Sequence, residues 1–179
     1  MLKIDNTVVV LIDIQGKLAS LMHDRENFYE NLTRLIRGAK TIGLPIIWNE
    51  QLPDKLGPTI QEVSSLLADN EPLAKNCFSC CGNPEFNTRL KSLKHKQVLL
   101  AGMESHVCVY QTALDLIKNG YEVSVVADAV SSRSAENRQI GIDAMRAAGA
   151  LVTSVEMALF EMLVVAEGDI FREIVKIVK

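Results

Sequence analysis

Three residues suited to a hydrolytic set stand far apart in this chain: Asp13, Lys75 and Cys108. A thiol supplies a nucleophile, a carboxylate can take its proton, and an ammonium favours negative charge beside it. Each stands where an apolar run ends. Asp13 closes Thr7-Val8-Val9-Val10-Leu11-Ile12, and Lys75 closes Leu73-Ala74. Cys108 lies just past Val98-Leu99-Leu100-Ala101, where the run breaks at Gly102 and restarts as a helix. A thiol near a helix N-terminus meets unpaired N–H groups and the positive end of the helix dipole, which favour a thiolate. Singly, each residue also fits an ordinary role as a cap, a solvated charge or a small hydrophobe. Their shared position at strand ends makes them candidates for chemistry.

Apolar periodicity defines the strands and helices around them. Thr7–Asp13 is a β-branched run without alternation, which predicts a strand covered on both faces. Phe28, Leu32, Leu35, Ile36, Ala39 and Ile42 recur at helical spacing, and Gly43 stops that helix. Leu44–Trp48 is the second strand, the stretch from Glu50 to Gly57 a loop, and Ile60 to Leu67 a short helix. Leu73–Lys75 is a brief strand, Phe86–Leu93 a helix, and Gln97–Ala101 a central strand. A helix from about His106 to Asn119 is followed by a strand at Glu122–Ala127 and a helix at Ala135–Ala148. Leu151-Val152 is the last strand, before two helices around Val155–Ala166 and Asp169–Val178. Such alternation predicts an α/β three-layer sandwich: a central parallel sheet of about six strands with helices on both faces, Rossmann-like. No linker, repeat or low-complexity segment interrupts residues 1–179, so one domain is expected. In such sheets ligands bind beyond the carboxyl ends of the strands, near the switch in strand order.

Hydrophobic residues make up 48% of the 179 positions, enough to bury a sizeable core. The net charge is −3 with both signs dispersed, and no basic stripe carries interleaved aromatics, so nucleic acid is not an expected partner. Apolar runs are strand-length, far short of the ~20 residues of a membrane helix, and the N-terminus lacks a signal layout. A soluble, cytoplasmic protein without membrane association is therefore expected. Three of the four cysteines, Cys77, Cys80 and Cys81, are crowded together, which suits reduced thiols better than a stapled secreted fold.

Four segments carry a resemblance to the isochorismatase-like cysteine hydrolases, which include nicotinamidases and carbamoyl amidases. They are Val-Val-Leu-Ile-Asp13-Ile-Gln15, Lys75-Asn-Cys77-Phe78-Ser79, Gly102-Met103-Glu104-Ser105-His106-Val107-Cys108-Val109 and Asp128-Ala-Val-Ser-Ser-Arg133-Ser. The likeness extends through Ala148-Gly149-Ala150 to the helix containing Glu156, and looks most similar to the small isochorismatase domain-containing branch. The resemblance implies a triad of Asp13, Lys75 and Cys108, with Asp13 taking the thiol proton and Cys108 attacking a carbonyl carbon. It also implies a cis peptide at Met103–Glu104 and an oxyanion hole made by the backbone N–H groups of Glu104 and Cys108. Ser105 is a candidate N-cap that competes for the Cys108 N–H, and the sequence is compatible with either partner. Gln15, Gln51, Phe78 and Glu104 lie near these motifs as candidates to line the substrate pocket.

The chain also departs from parts of that family. Nicotinamidases hold a metal with an Asp and two His, whereas here no histidine stands between His23 and His95, and the corresponding loop reads Asn49-Glu50-Gln51-Leu52-Pro53. No metal or other cofactor is expected. Isochorismatases proper lack the nucleophilic cysteine, so Cys108 argues against their vinyl-ether reaction. The expectation is hydrolysis of an amide, carbamoyl or related C–N bond of a small molecule through an acyl-enzyme. His106 is expected at a helix start or interface, and Arg133 is expected to anchor the loop after Asp128. Two other readings stay open: a thiol redox protein using Cys77 and Cys80, whose Cys-x-x-Cys spacing fits, and a catalytically idle scaffold. Apolar residues of the two last helices exceed one stripe, and the resemblance implies a homo-oligomer, dimer or higher.

Overall fold

The run Thr7–Ile12 is a strand buried along its whole length, with Val8, Val10 and Ile12 facing one helical layer and Val9 and Leu11 the other. It is β1 of a six-stranded sheet with β2 (Ile46–Gln51), β3 (Leu73–Lys75), β4 (Gln97–Met103), β5 (Glu122–Ser131) and β6 (Leu151–Thr153). The computed structural model describes residues 1–179. All strand pairs are parallel, in the order β3-β2-β1-β4-β5-β6. Two runs of strands thus leave in opposite directions from β1 and β4, which puts the topological switch point between these neighbours.

The helices are α1 (Gly16–Ser20), α2 (Arg25–Thr41), α3 (Pro53–Leu56), α4 (Gln61–Ser64) and α5 (Pro84–Ser92), then α6 (Tyr110–Lys118), α7 (Ala135–Ala147), α8 (Val155–Leu163) and α9 (Gly168–Val178). On one face Phe28, Leu32, Leu35 and Ile36 of α2 pack with Leu159 of α8 and Ile174 of α9 against Val9 and Leu11. On the other face Phe86 and Leu90 of α5, Leu116 of α6 and Ile142 of α7 cover Val8, Val10 and Ile12. The three-layer α/β sandwich expected from the alternation is what the chain forms. No helix is long and apolar enough to cross a membrane.

Several boundaries differ from the sequence expectation, two of them because of strand pairing that periodicity does not register. β2 continues past Trp48 to Gln51, since Asn49, Glu50 and Gln51 pair with Leu73, Ala74 and Lys75 of β3. β5 runs through Asp128 to Ser131, because after a bulge Val130 and Ser131 pair with Gly102 and Met103. The expected loop after β2 contains the short helix α3.

Candidate active site

At the switch point β1 and β4 end side by side, and backbone conformation sets how the chain leaves them. A Cβ on Gly102 would lie 2.2 Å from the Ile12 carbonyl oxygen, so only glycine lets the two strand ends approach this closely. Asp13 (φ 57°) and Glu104 (φ 55°), the residues just past these two strands, both adopt the left-handed conformation. That conformation is disfavoured for non-glycine residues and concentrates at functional sites. No cis peptide is present, so Met103–Glu104 is trans, contrary to the family-based expectation. The reversal is made instead by the left-handed turn at Glu104, which leads into a wide π-turn, Ser105–Val109, before α6. The N–H of Tyr110 bonds the Ser105 carbonyl across this turn. Such π-turns often mark functional sites. Helix α7 backs the turn at close range, for a Cβ on Gly141 would meet the His106 nitrogen at 2.6 Å.

Lys75 reaches the same place from β3, two strands away from β1. Its side chain is fully enclosed, and its Nζ donates to Asp13 Oδ2 and Gln51 Oε1, each at 2.7 Å, and to the carbonyls of Cys77 and Phe78, each at 3.1 Å. Asp13 is nearly as buried, and burial raises its carboxyl above the ordinary 3.8 despite the opposing Lys75 charge. Its Oδ1 has no hydrogen-bond partner of ordinary geometry, yet the carboxylate acts directly on the Cys108 thiol. Burial pushes that thiol up to about 12; the nearby Asp13 charge adds to the effect, Lys75 opposes it, and Glu104 adds further. The thiolate favoured by a helix start is therefore not the resting form. Desolvation and two carboxylates outweigh the helix end and the lysine.

The other expected residues divide by what their atoms already hold. Gln15 is occupied structurally: its Nε2 donates to the carbonyls of Gln51 (3.1 Å) and Gly57 (2.7 Å), and its Oε1 accepts from the Gln51 N–H (2.6 Å). It clamps the β1 and β2 ends together and has no group left for a ligand. Gln51 accepts from Lys75, while its Nε2 makes no hydrogen bond. Phe78 holds Lys75 through its carbonyl and is itself 56% exposed. The Glu104 N–H has no acceptor in the protein. Ser105 does not compete for the Cys108 N–H, because its hydroxyl bonds Ser132 (2.8 Å) and the Arg138 carbonyl (3.1 Å). His106 lies 3.4 Å from Glu104 and 3.1 Å from the Ser132 hydroxyl.

Further residues complete the frame. Arg133, in the loop after Asp128, pairs through its Nε with Glu104 Oε1 at 2.7 Å and so ties that loop to the nucleophile turn. Arg138 instead donates to Val130 and Ala127 carbonyls at the β5 bulge. Thr112 accepts from the Cys80 N–H (3.0 Å) and donates to the Cys108 carbonyl (2.7 Å), joining the lysine loop to the nucleophile turn. Ser79 and Asp115 add a second link at 2.6 Å. Only the spacing of Thr112 and Asp115, one and two turns after Cys108, hints at this in sequence. All four cysteines are free; Cys77 is partly exposed, and Cys80 is buried, with burial raising its thiol. The β2 end, where the resemblance to nicotinamidases would put a metal site, carries Asn49, Glu50 and Gln51. Their side chains bond the Leu11 carbonyl, Thr59 and Lys75, and without histidine they do not form a metal-ligand set.

Comparison with known proteins shows the family and the fold. Residues 7–157 match the isochorismatase domain model. The secreted isochorismatase effector Isc1 of Phytophthora sojae is 35% identical, covering 97% of this chain and 85% of that protein. A structure described as the MAR1 ribonuclease of Caenorhabditis elegans superposes with a TM-score of 0.92 at 35% identity, covering 99% of this chain and 91% of the other. The ycaC product of Escherichia coli, an octameric hydrolase of unknown specificity, superposes with a TM-score of 0.90 at 28% identity, covering 94% and 85%. With the fold, the sheet order and the match over most of its length, the chain belongs to the isochorismatase family of hydrolase-fold proteins.

Proposed function

We propose that this protein is a cysteine hydrolase of a small-molecule amide, carbamoyl or related C–N bond. The observation that carries the reading is the buried Lys75–Asp13 pair at 2.7 Å with Cys108 beside the same carboxylate. The thiol proton passes to Asp13 as sulfur bonds the carbonyl carbon, and the raised carboxyl is a better base than an ordinary aspartate. The C–N bond then breaks as Asp13 returns that proton to the leaving nitrogen. Water, deprotonated by Asp13, hydrolyses the thioester, and sulfur regains its proton. Lys75 holds the carboxylate, while the Glu104 and Cys108 N–H groups stabilise the oxyanion. Gln51 Nε2 and the Phe78 ring are the candidates to meet substrate.

A related structure carries a ribonuclease name. Phosphodiester chemistry would call for accessible cations, yet here Lys75 is enclosed by four acceptors and the thiol is flanked by Asp13 and Glu104. The deciding experiment is a panel of small amides, carbamoyl compounds and esters, with an RNA oligonucleotide arm, run on wild type and Cys108→Ala. Turnover of an amide or carbamoyl compound that disappears in Cys108→Ala, with an acyl adduct on Cys108 by mass spectrometry, is expected. Equal turnover in both proteins, or RNA cleavage alone, would end this reading.

A further inference from the structure

Glu104 is unfavourable where it stands in two ways. Its backbone is left-handed (φ 55°), which a residue with a side chain disfavours, and its charge adds to the forces that push the Cys108 thiol up. Its carboxylate is nevertheless buried and half held. Oε1 accepts from Arg133 Nε at 2.7 Å, whereas Oε2 is enclosed without a hydrogen bond, with His106 Nδ1 3.4 Å away. The hydroxyls behind His106 decide where its proton sits. Ser105 is fully buried with the carbonyls of Arg138 (3.1 Å) and Asn137 (3.4 Å) in reach, so its one proton goes to α7. Ser132 then donates to Ser105 Oγ at 2.8 Å, and the Ser132 oxygen is left to accept from His106 Nδ1 at 3.1 Å. On this network Nδ1 carries a proton, and it faces two acceptors, the Ser132 hydroxyl and Glu104 Oε2.

We propose that His106 is a positioning residue of the oxyanion hole: its Nδ1–H grips Glu104 Oε2 and, together with Arg133, sets the aim of the Glu104 N–H. This role rests on the cysteine-hydrolase reading and deepens it. The Glu104 N–H has no acceptor in the protein, so its direction follows from the turn and from what holds the side chain of the same residue. The far side of the turn is fixed, since a Cβ on Gly141 of α7 would lie 2.6 Å from the His106 nitrogen. When an oxyanion takes up the Glu104 N–H, the turn tightens and the 3.4 Å gap closes to a hydrogen bond. The bond is then stronger in the transition state than in the resting protein, which is what accelerates a chemical step.

Two reactions of the same sulfur separate this role from a merely structural one. With 4-nitrophenyl acetate, sulfur bonds the acetyl carbon, an oxyanion forms, Asp13 takes the thiol proton and nitrophenolate leaves. With iodoacetamide, sulfur displaces iodide and no oxyanion forms. The ratio of Cys108-dependent nitrophenolate release to alkylation of the Cys108 peptide cancels any change in thiol ionisation. His106→Gln, whose amide lies beyond the Nδ1 position, should lower that ratio by about tenfold or more. His106→Asn, whose amide nitrogen can stand where Nδ1 stood, should keep it close to wild type. If His106→Gln does not fold, Glu104→Gln decides, because it replaces the acceptor facing His106 by a donor and should lower the ratio similarly. An unchanged ratio in the variant that folds, or an equal loss in His106→Gln and His106→Asn, overturns the proposal. Nitrophenolate release that is the same in Cys108→Ala ends the cysteine-hydrolase reading itself, and the role of His106 with it.

Discussion

At the scale of single residues, Cys108 is a nucleophile that rests as a thiol. Its pKa is pushed up to about 12, so reactivity depends on a neighbour that takes the proton at the moment of attack. Asp13 is that neighbour. Asp13→Asn should slow alkylation of Cys108 by a neutral thiol reagent by on the order of 10²–10⁴-fold, the usual range for a lost general base. In wild type, the acid limb of that labelling should lie above pH 3.8, because burial raises the Asp13 carboxyl. Mass-spectrometric labelling across pH measures both. Lys75→Met leaves Asp13 buried without its cation. Breaking a buried pair this way costs about 3–5 kcal/mol, read by urea denaturation, and should move the acid limb to still higher pH.

At the scale of elements, three segments meet because polar bolts tie them. Gln15 joins the β1 and β2 ends, and Arg133 braces the turn after β4. Thr112 is the link whose loss should be cleanest to read, since it bridges Cys80 and Cys108 from a fully buried position. Thr112→Val keeps the shape and leaves a buried N–H and carbonyl unpaired, costing about 1–3 kcal/mol. Thr112→Ser keeps the hydroxyl and should recover most of the stability and the Cys108 labelling rate. If Thr112→Val labels and melts like wild type, the bolt is irrelevant.

At the scale of the molecule, the thiols make stability fall on the alkaline side. Burial pushes Cys81 up to about 11 and Cys108 up to about 12, and raises Cys80 as well, whereas in the unfolded chain these groups ionise near 9.0. As pH rises through 9.0 the unfolded state loses these protons first, so it binds fewer than the folded state and stability drops. Each such thiol contributes a slope of up to about 1.4 kcal/mol per pH unit. Urea midpoints between pH 8 and pH 10.5 should fall, and Cys80→Ala should flatten the decline. Assembly belongs to this scale too. Met157 and Ile170 on the last two helices are apolar and more than half exposed, which suits a contact between subunits. We expect a homo-oligomer, and a light-scattering mass of 19.8 kDa at micromolar concentration would refute it.

Local chemistry was legible along the chain. The unalternating Thr7–Ile12 run had to be buried on both faces, and Asp13, Lys75 and Cys108 had to fall at strand ends, because side-chain hydrophobicity and backbone preference act over a few residues. The motifs around them also carried the family. Tertiary structure alone decided the rest. A strand that gains a partner lengthens, as β2 did through Gln51. A glutamine near the site became a backbone clamp, because neighbouring strand ends presented two carbonyls and an N–H to Gln15. Most of all, the ionisation of Cys108 reversed from the helix-start expectation. A pKa follows desolvation and charges brought close by the fold, and the residues concerned lie dozens of positions apart in the chain.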